Sequence, residues 1–172
     1  MCSSDLFGLA LRPEFRDYMQ RTLDNAKTLA NALAAQGFRV ITGGTDTHLI
    51  LCDVTPLGVT GKEATAALES IGVTINKNSI PGETRSPMVT SGVRYGTPAA
   101  TTRGMGAREM ELIATWSSEA IAARENPAKL SAIRGEVVKA ARTFPVPGLD
   151  ARTLADTANA TTSEATDAPA AS

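Results

Sequence analysis

Apolar residues recur at helical spacing in four segments of the chain and gather in short extended runs between them. The longest periodic segment, RPEFRDYMQRTLDNAKTLANALAAQG, predicts a helix that ends at Gly37, a residue suited to a helix C-terminus. The inward face of this helix is predicted to comprise Phe15, Met19, Thr22, Ala26, Leu29 and Leu33. A helix with one apolar face has to bury it against another element, so the segment indicates a packed core.

The other periodic segments carry their own start signals. Thr60 lies three residues before Glu63 at the head of TGKEATAALES, which is the arrangement of a capping box. Asn126-Pro127 is typical of the start of a last helix, which FPVPG ends. Between these two, MGAREMELIATWSSEAIA predicts a further helix. The residues expected to face inward from the last two helices are Met110, Ile113, Ser117, Ala120, Leu130, Ile133 and Val137.

Four extended stretches lie between the helices. FRVIT and HLILCDV predict strands on either side of the glycine-rich turn GGTDT. GVTINKNSI and the segment from Met88 to Tyr95 supply two more. The resulting order is αββαββαα-like, which favours an α+β fold in which a small sheet is covered by helices.

The segment SGVRYGTPAATTRG places an arginine, Arg94, in a strand that turns at once into a helix start. Thr97 is expected to cap that helix with its hydroxyl, Pro98 suits the first helical position, and Gly104 can end it. The helix N-terminus and the guanidinium together predict an electropositive corner for an anion, and the arginine fork matches a carboxylate. The alternative is that Arg94 pairs with an internal Asp or Glu, and the spacing does not decide between the two.

The two ends of the chain differ in composition from the part between them. Residues 149–172 are rich in Ala, Thr, Asp and Ser, which predicts a disordered tail, with a short frayed helix through Leu154 as the alternative. We expect its deletion to change stability by less than about 0.5 kcal/mol. Residues 1–10 are interpreted as a non-native or linker N-terminus, with the hypothesis that Met1 to Leu6 is an artefact encoded by a sequencing adapter.

Composition narrows the classes of function. Seventeen basic and eighteen acidic residues leave no basic stripe for nucleic acid, and no stretch is apolar enough for a membrane span. Two cysteines make no disulfide framework and sit in no metal-ligand spacing, so a cytoplasmic protein without a metal is expected. The lone His48 is interpreted as a hydrogen-bonded structural histidine. The residues alone thus predict an anion-binding α+β domain without a complete catalytic constellation.

A series of longer motifs resembles one family. The strings VITGGTDTHLILCDV, GVTGKEATAALES, GVTINKNSIPGE, SPMVTSGVRYGTPAATTRG and RTFPVPG resemble, in this order, the C-terminal part of serine hydroxymethyltransferase. The resemblance covers residues 11–148 and implies the small C-terminal α+β domain of a fold-type I pyridoxal-phosphate enzyme, with an antiparallel sheet. Such enzymes interconvert serine and tetrahydrofolate with glycine and 5,10-methylenetetrahydrofolate, and the family suggests a homodimer.

The resemblance also implies roles for particular residues. The family's arginine for the substrate carboxylate matches Arg94, and its folate-contacting asparagine matches Asn78. The folate-contacting Ser-Pro-Phe segment matches Ser86, Pro87 and Met88, where methionine replaces the aromatic residue. Two further departures are Thr47 for asparagine and Tyr95 for a smaller aliphatic residue.

The family's Schiff-base lysine belongs to a histidine-lysine motif that this sequence lacks. We therefore expect no catalytic or cofactor-binding residue here, pyridoxal phosphate bound mainly by a preceding large domain, and an inactive fragment. A stand-alone module that binds an anion or amino acid without catalysis is the alternative, and a purely structural dimerisation domain is a third reading.

Overall fold

The computed structural model describes residues 3–148, with side chains from residue 7 onward. The predicted tail at 149–172 and the first two residues lie outside this part of the chain. The helices are α1 (Ser3–Ala10), α2 (Pro13–Ala35), α3 (Gly61–Ser70), α4 (Pro98–Thr102), α5 (Ala107–Ala122) and α6 (Pro127–Arg142). The strands are β1 (Arg39–Val40), β2 (Leu49–Asp53), β3 (Asn76–Asn78) and β4 (Gly92–Gly96).

The strands of the described part form one antiparallel sheet in the order β1-β2-β4-β3. Side chains alternate between its two faces, so Val93 and Tyr95 are buried against the helices while Arg94 lies on the opposite, exposed face. We call this second face the open face. The predicted α+β fold, with a small antiparallel sheet covered by helices, is confirmed.

The core lies between the sheet and the helices α2, α3 and α5. Ile50 and Val93 from the sheet meet Leu33, Leu68 and Met110 from these three helices, and all five side chains are inaccessible to water. Burial of apolar side chains contributes about 1.5–3 kcal/mol for each large residue. No helix among residues 3–148 is both long and apolar enough to cross a membrane.

The local start signals were good predictors. The Glu63 backbone N–H donates to the Thr60 hydroxyl at 3.2 Å and the Thr60 N–H donates to the Glu63 carboxylate at 2.7 Å, so the capping box is confirmed. Asn126 caps α6 by accepting the Lys129 N–H at 3.1 Å. The helix α4 starts at Pro98 and is followed by Gly104 in the left-handed conformation, as expected.

Several predicted boundaries were wrong. The fully buried face of α2 begins at Thr22, because Phe15 is 38% exposed and packs on Tyr18 with ring centroids 5.8 Å apart. The predicted strand FRVIT pairs only over β1, since Thr42 turns the chain with a φ of 65°. The extended stretch from Met88 starts pairing only at β4, because a turn precedes it. Residues Ser3–Ala10 form a helix where no element was predicted.

One buried carboxylate ties β1 to β2. Asp53 is 1% exposed and accepts hydrogen bonds from the Arg39 Nε at 2.9 Å and from the backbone N–H of Thr55 at 2.8 Å. Burial raises the pKa of Asp53, but the Thr55 and Arg39 contacts outweigh it and hold the pKa below the ordinary 3.8. The ionised form is therefore the one that stabilises the fold.

We expect Asp53→Asn to lower the free energy of unfolding at neutral pH by about 1.5 kcal/mol, the lower end for hydrogen bonds to a charged group. Because the folded pKa is depressed, this stabilisation is complete above the unfolded pKa and is lost as the pH falls through the folded pKa. Urea denaturation of both proteins across the acid range measures the difference. Asp17→Asn, at an exposed site on α2, is the control, and a difference that stays constant into acid would contradict the prediction.

Candidate functional site

Arg94 lies in the middle of β4, which is hydrogen-bonded on both sides. Its Cα partners are Leu51 on β2 and Asn76 on β3, so the backbone that carries the guanidinium is fixed. Among the side chains from residue 7 to 148, Arg94 makes no hydrogen bond and no ion pair. The ion pairs of that part of the chain are Arg39–Asp53 and Arg124–Glu125. An internal acidic partner for Arg94 is therefore not found there.

Arg94 lines an open cavity of about 530 Å³ between α3 and the edge strand β3. The lining residues are Lys62, Thr65, Ala66, Glu69, Ile75, Asn76, Lys77, Asn78 and Arg94. Three of these side chains are cationic and one, Glu69, is a carboxylate. Opposite charges attract and the guanidinium presents several parallel N–H donors, so the cavity suits a small anionic ligand such as a carboxylate.

The predicted corner between Arg94 and the start of α4 is wrong. Thr97 is completely buried, and its hydroxyl donates to the backbone carbonyl of Thr22 at 2.9 Å instead of capping α4. The hydroxyl is engaged by α2, which packs against this turn. The α4 helix contributes no residue to the cavity that Arg94 lines.

The other predicted site residues lie in two places. Asn78 is half-buried on β3 opposite Gly92, and it lines the same cavity as Arg94. Its side-chain amide donates to the carbonyl of Ser79 at 2.8 Å. Ser86, Pro87 and Met88 lie on an exposed turn outside that cavity, and Met88 is 70% exposed. The fold thus brings Arg94 and Asn78 together and leaves the Ser86–Met88 turn apart from them.

Sequence reasoning missed the contribution of α3 to the cavity. Lys62, Thr65, Ala66 and Glu69 follow the i, i+3, i+4, i+7 spacing of one helix face, opposite the buried Ala64 and Leu68. The spacing of this helix face was visible in the sequence. The sequence did not show which residues the face lies against, because that depends on how β3 pairs with β4.

Three other reactive side chains add nothing to this site. His48 is exposed, and within the described part of the chain only its backbone carbonyl is hydrogen-bonded, so the interpretation as a hydrogen-bonded structural histidine was wrong. Cys52 is buried, and burial raises the pKa of its thiol to about 12, which leaves no thiolate nucleophile. The Tyr95 hydroxyl lies in the core, and its burial raises the pKa above the ordinary value.

Comparison with known proteins gives one consistent result. Residues 4–117 match the family model described as serine hydroxymethyltransferase. Relatives named serine hydroxymethyltransferase include those of Acidobacterium capsulatum, 51% identical over 142 residues, and Phenylobacterium zucineum, 47% identical over 144. These matches cover 83% and 81% of this chain. The Legionella pneumophila relative is 46% identical over 140 residues. The matched part of the chain spans only about a third of each relative, 33–34%.

Proposed function

The chain belongs to the serine hydroxymethyltransferase family, and from this membership we propose that it forms the small C-terminal domain of such an enzyme. The proposed parent reaction interconverts serine and tetrahydrofolate with glycine and 5,10-methylenetetrahydrofolate. The parent is proposed to be a cytoplasmic homodimer that uses pyridoxal phosphate. The observation that carries the proposal is Arg94, a guanidinium without an internal partner in the described part of the chain, in a cavity suited to an anion.

The role we propose for Arg94 is to bind the carboxylate of serine or glycine. A guanidinium binds a carboxylate through two parallel N–H···O bonds, which fixes orientation as well as position. Strand pairing on both sides holds the Arg94 backbone before the substrate arrives. A substrate fixed in this way has one of its bonds held in a defined direction for cleavage.

Pyridoxal phosphate supplies an electron sink when it is bound to such an enzyme. The five lysines of this chain are Lys27, Lys62, Lys77, Lys129 and Lys139, and every one has an exposed side chain. A lysine that forms a Schiff base needs its pKa lowered, commonly by desolvation, and an exposed position leaves the ammonium in water. These residues do not fit covalent attachment, so we assign the cofactor to another part of the parent enzyme.

For the folate side of the reaction we propose contacts by Asn78 and by the segment Ser86, Pro87 and Met88. Asn78 supports this role because its amide offers both a donor and an acceptor next to the Arg94 cavity. Met88 supports it because an exposed thioether can pack on the flat ring of a ligand.

A second candidate is a stand-alone module that binds an anion or an amino acid without catalysis. It is favoured by one observation, which is that residues of this chain alone form the cationic cavity. Calorimetric titration of the chain with serine distinguishes the two. Affinity equal to that of a complete enzyme would favour the module, whereas weak or absent binding would favour a domain that needs the rest of the parent.

The test of the enzyme proposal is a chimera in which residues 11–148 replace the matching third of the Acidobacterium capsulatum relative. We expect the chimera to convert serine in the presence of tetrahydrofolate. The 172-residue chain alone, mixed with pyridoxal phosphate, should give no visible absorbance change that responds to serine, because its lysines are all exposed. An inactive but folded chimera, or a saturable serine-responsive band from the chain alone, would contradict this.

A further inference from the structure

The carboxylate of Glu83 closes the segment from Glu83 to Ser91 into a compact loop. One oxygen, Oε1, accepts the backbone N–H groups of Thr84 at 3.1 Å and Arg85 at 3.0 Å, and the Ser91 hydroxyl at 2.8 Å. The other, Oε2, accepts the Ser91 backbone N–H at 2.7 Å. The Arg85 guanidinium donates to the same Ser91 hydroxyl at 2.7 Å. The two ends of the loop are thus joined by side chains from within it.

The ionised form of Glu83 is the one that makes these contacts. The Arg85 N–H, followed by the Ser91 hydroxyl and N–H, outweighs the effect of burial and lowers the pKa of Glu83 to about 2. A carboxylate that accepts several N–H bonds is stabilised in its charged state. The closure therefore persists at neutral pH.

A second connection ties the loop to α3. The backbone N–H groups of Gly61 and Lys62, in the first turn of α3, donate to the carbonyls of Thr90 at 3.1 Å and Val89 at 3.0 Å. Thr90 has a φ of 57°, a conformation that a β-branched residue adopts only when its surroundings impose it. The loop is therefore fixed at its C-terminal end by α3, in addition to the Glu83 contacts that join its two ends.

We propose that Glu83 is a positioning residue, which holds the turn Ser86, Pro87 and Met88 in the orientation that contacts the folate. The inference rests on the proposed function, because it assigns the turn to that ligand. The hydrogen bonds that the Glu83 carboxylate accepts from Thr84, Arg85 and Ser91 lie within its own loop, whereas the strand that carries Arg94 is held by its pairing with β2 and β3. A loop ordered before binding loses less conformational entropy when the ligand arrives. Loss of the Glu83 contacts should therefore weaken folate binding without weakening serine binding.

The substitution that tests this is Glu83→Gln, which keeps the shape of the side chain but replaces one acceptor oxygen with an NH₂ donor. In the chimera, we expect the KM for tetrahydrofolate to rise about tenfold, which is smaller than the loss of rate that roughly 1 Å of misplacement of a reacting group can cause. The KM for serine should stay within about twofold of its value in the unsubstituted chimera. Glu111→Gln is the matched control, since Glu111 is exposed on α5 and its carboxylate makes no hydrogen bond in the described part of the chain. It should leave both constants unchanged.

Amide hydrogen exchange on the 172-residue chain gives a readout that needs no activity. The Ser91 amide should exchange at least about tenfold faster in Glu83→Gln, with the amides of β4 unchanged. Unchanged Ser91 exchange overturns the closure by Glu83, and an unchanged tetrahydrofolate KM in an active chimera overturns the positioning role. An equal rise in the KM values for tetrahydrofolate and serine overturns the positioning role as well. If the unsubstituted chimera is inactive, the proposed function fails, and the folate role of the loop fails with it. The exchange rate of the Ser91 amide still tests whether Glu83 closes the loop.

Discussion

Arg94→Lys in the chimera should weaken serine binding at least tenfold, which corresponds to about 1.4 kcal/mol. Lysine keeps the positive charge but loses the planar fork that binds a carboxylate through two parallel bonds. Arg94→Ala should weaken it further, because hydrogen bonds to charged groups contribute about 1.5–3 kcal/mol and the guanidinium that donates them would be absent. Serine titration followed by calorimetry measures both effects.

The melting temperature of the same samples separates binding from folding. Arg94 makes no hydrogen bond or ion pair within the described part of the chain, so neither substitution should lower the melting temperature. Arg16→Lys, at an exposed position of α2, is the control and should leave serine affinity unchanged. Serine affinity that survives Arg94→Ala, or a large loss of thermal stability in its place, would end the assignment of Arg94 to the substrate carboxylate.

Gly92→Ala should lower the free energy of unfolding by about 3 kcal/mol, the upper end of the usual cost of overpacking. A Cβ atom at this position would lie 2.5 Å from the Ile80 Cγ2, 2.7 Å from the Asn78 carbonyl oxygen and 3.0 Å from the Cys52 carbonyl oxygen. Two of these neighbours are backbone atoms of the adjoining strand β2 and of Asn78 on β3, so they cannot move aside without disturbing the sheet. Equilibrium urea denaturation measures the loss.

Gly135→Ala is the opposite case and serves as the control. Gly135 lies inside α6, is exposed, and a Cβ atom built there has no neighbour within 4 Å. Alanine in a helix interior is more favourable than glycine by about 0.5–1 kcal/mol, so this variant should be more stable than the natural chain. A Gly92→Ala protein as stable as the natural chain would show that the strands can separate at this point.

Features that depend on a few neighbouring residues were predictable from the sequence. The capping box of Thr60 and Glu63, the Asn126 cap and the Pro98 helix start all lie where their local patterns placed them. The pattern of apolar residues also predicted the fold class. These signals succeed because capping and burial along one element involve residues that are close in sequence.

Features that depend on distant partners were not predictable. The early end of β1 follows from the turn at Thr42, and the engagement of the Thr97 hydroxyl follows from the path of α2. Arg94 was identified from its motif, but the α3 side chains that share its cavity were not. Their proximity is set by the pairing of Asn76 with Arg94, which no local pattern specifies.

The two-faced sheet also constrains how this chain can change in length. Successive residues of β4 lie on opposite faces, so one residue inserted or deleted just before Arg94 would turn the guanidinium into the core and Val93 or Tyr95 out to solvent. Point substitutions at Arg94 alter a side chain on the open face, whereas a shift of one residue in the register of β4 disrupts both the core packing and the anion site. Natural variation in this strand should therefore consist of replacements, with insertions and deletions confined to segments away from the strand.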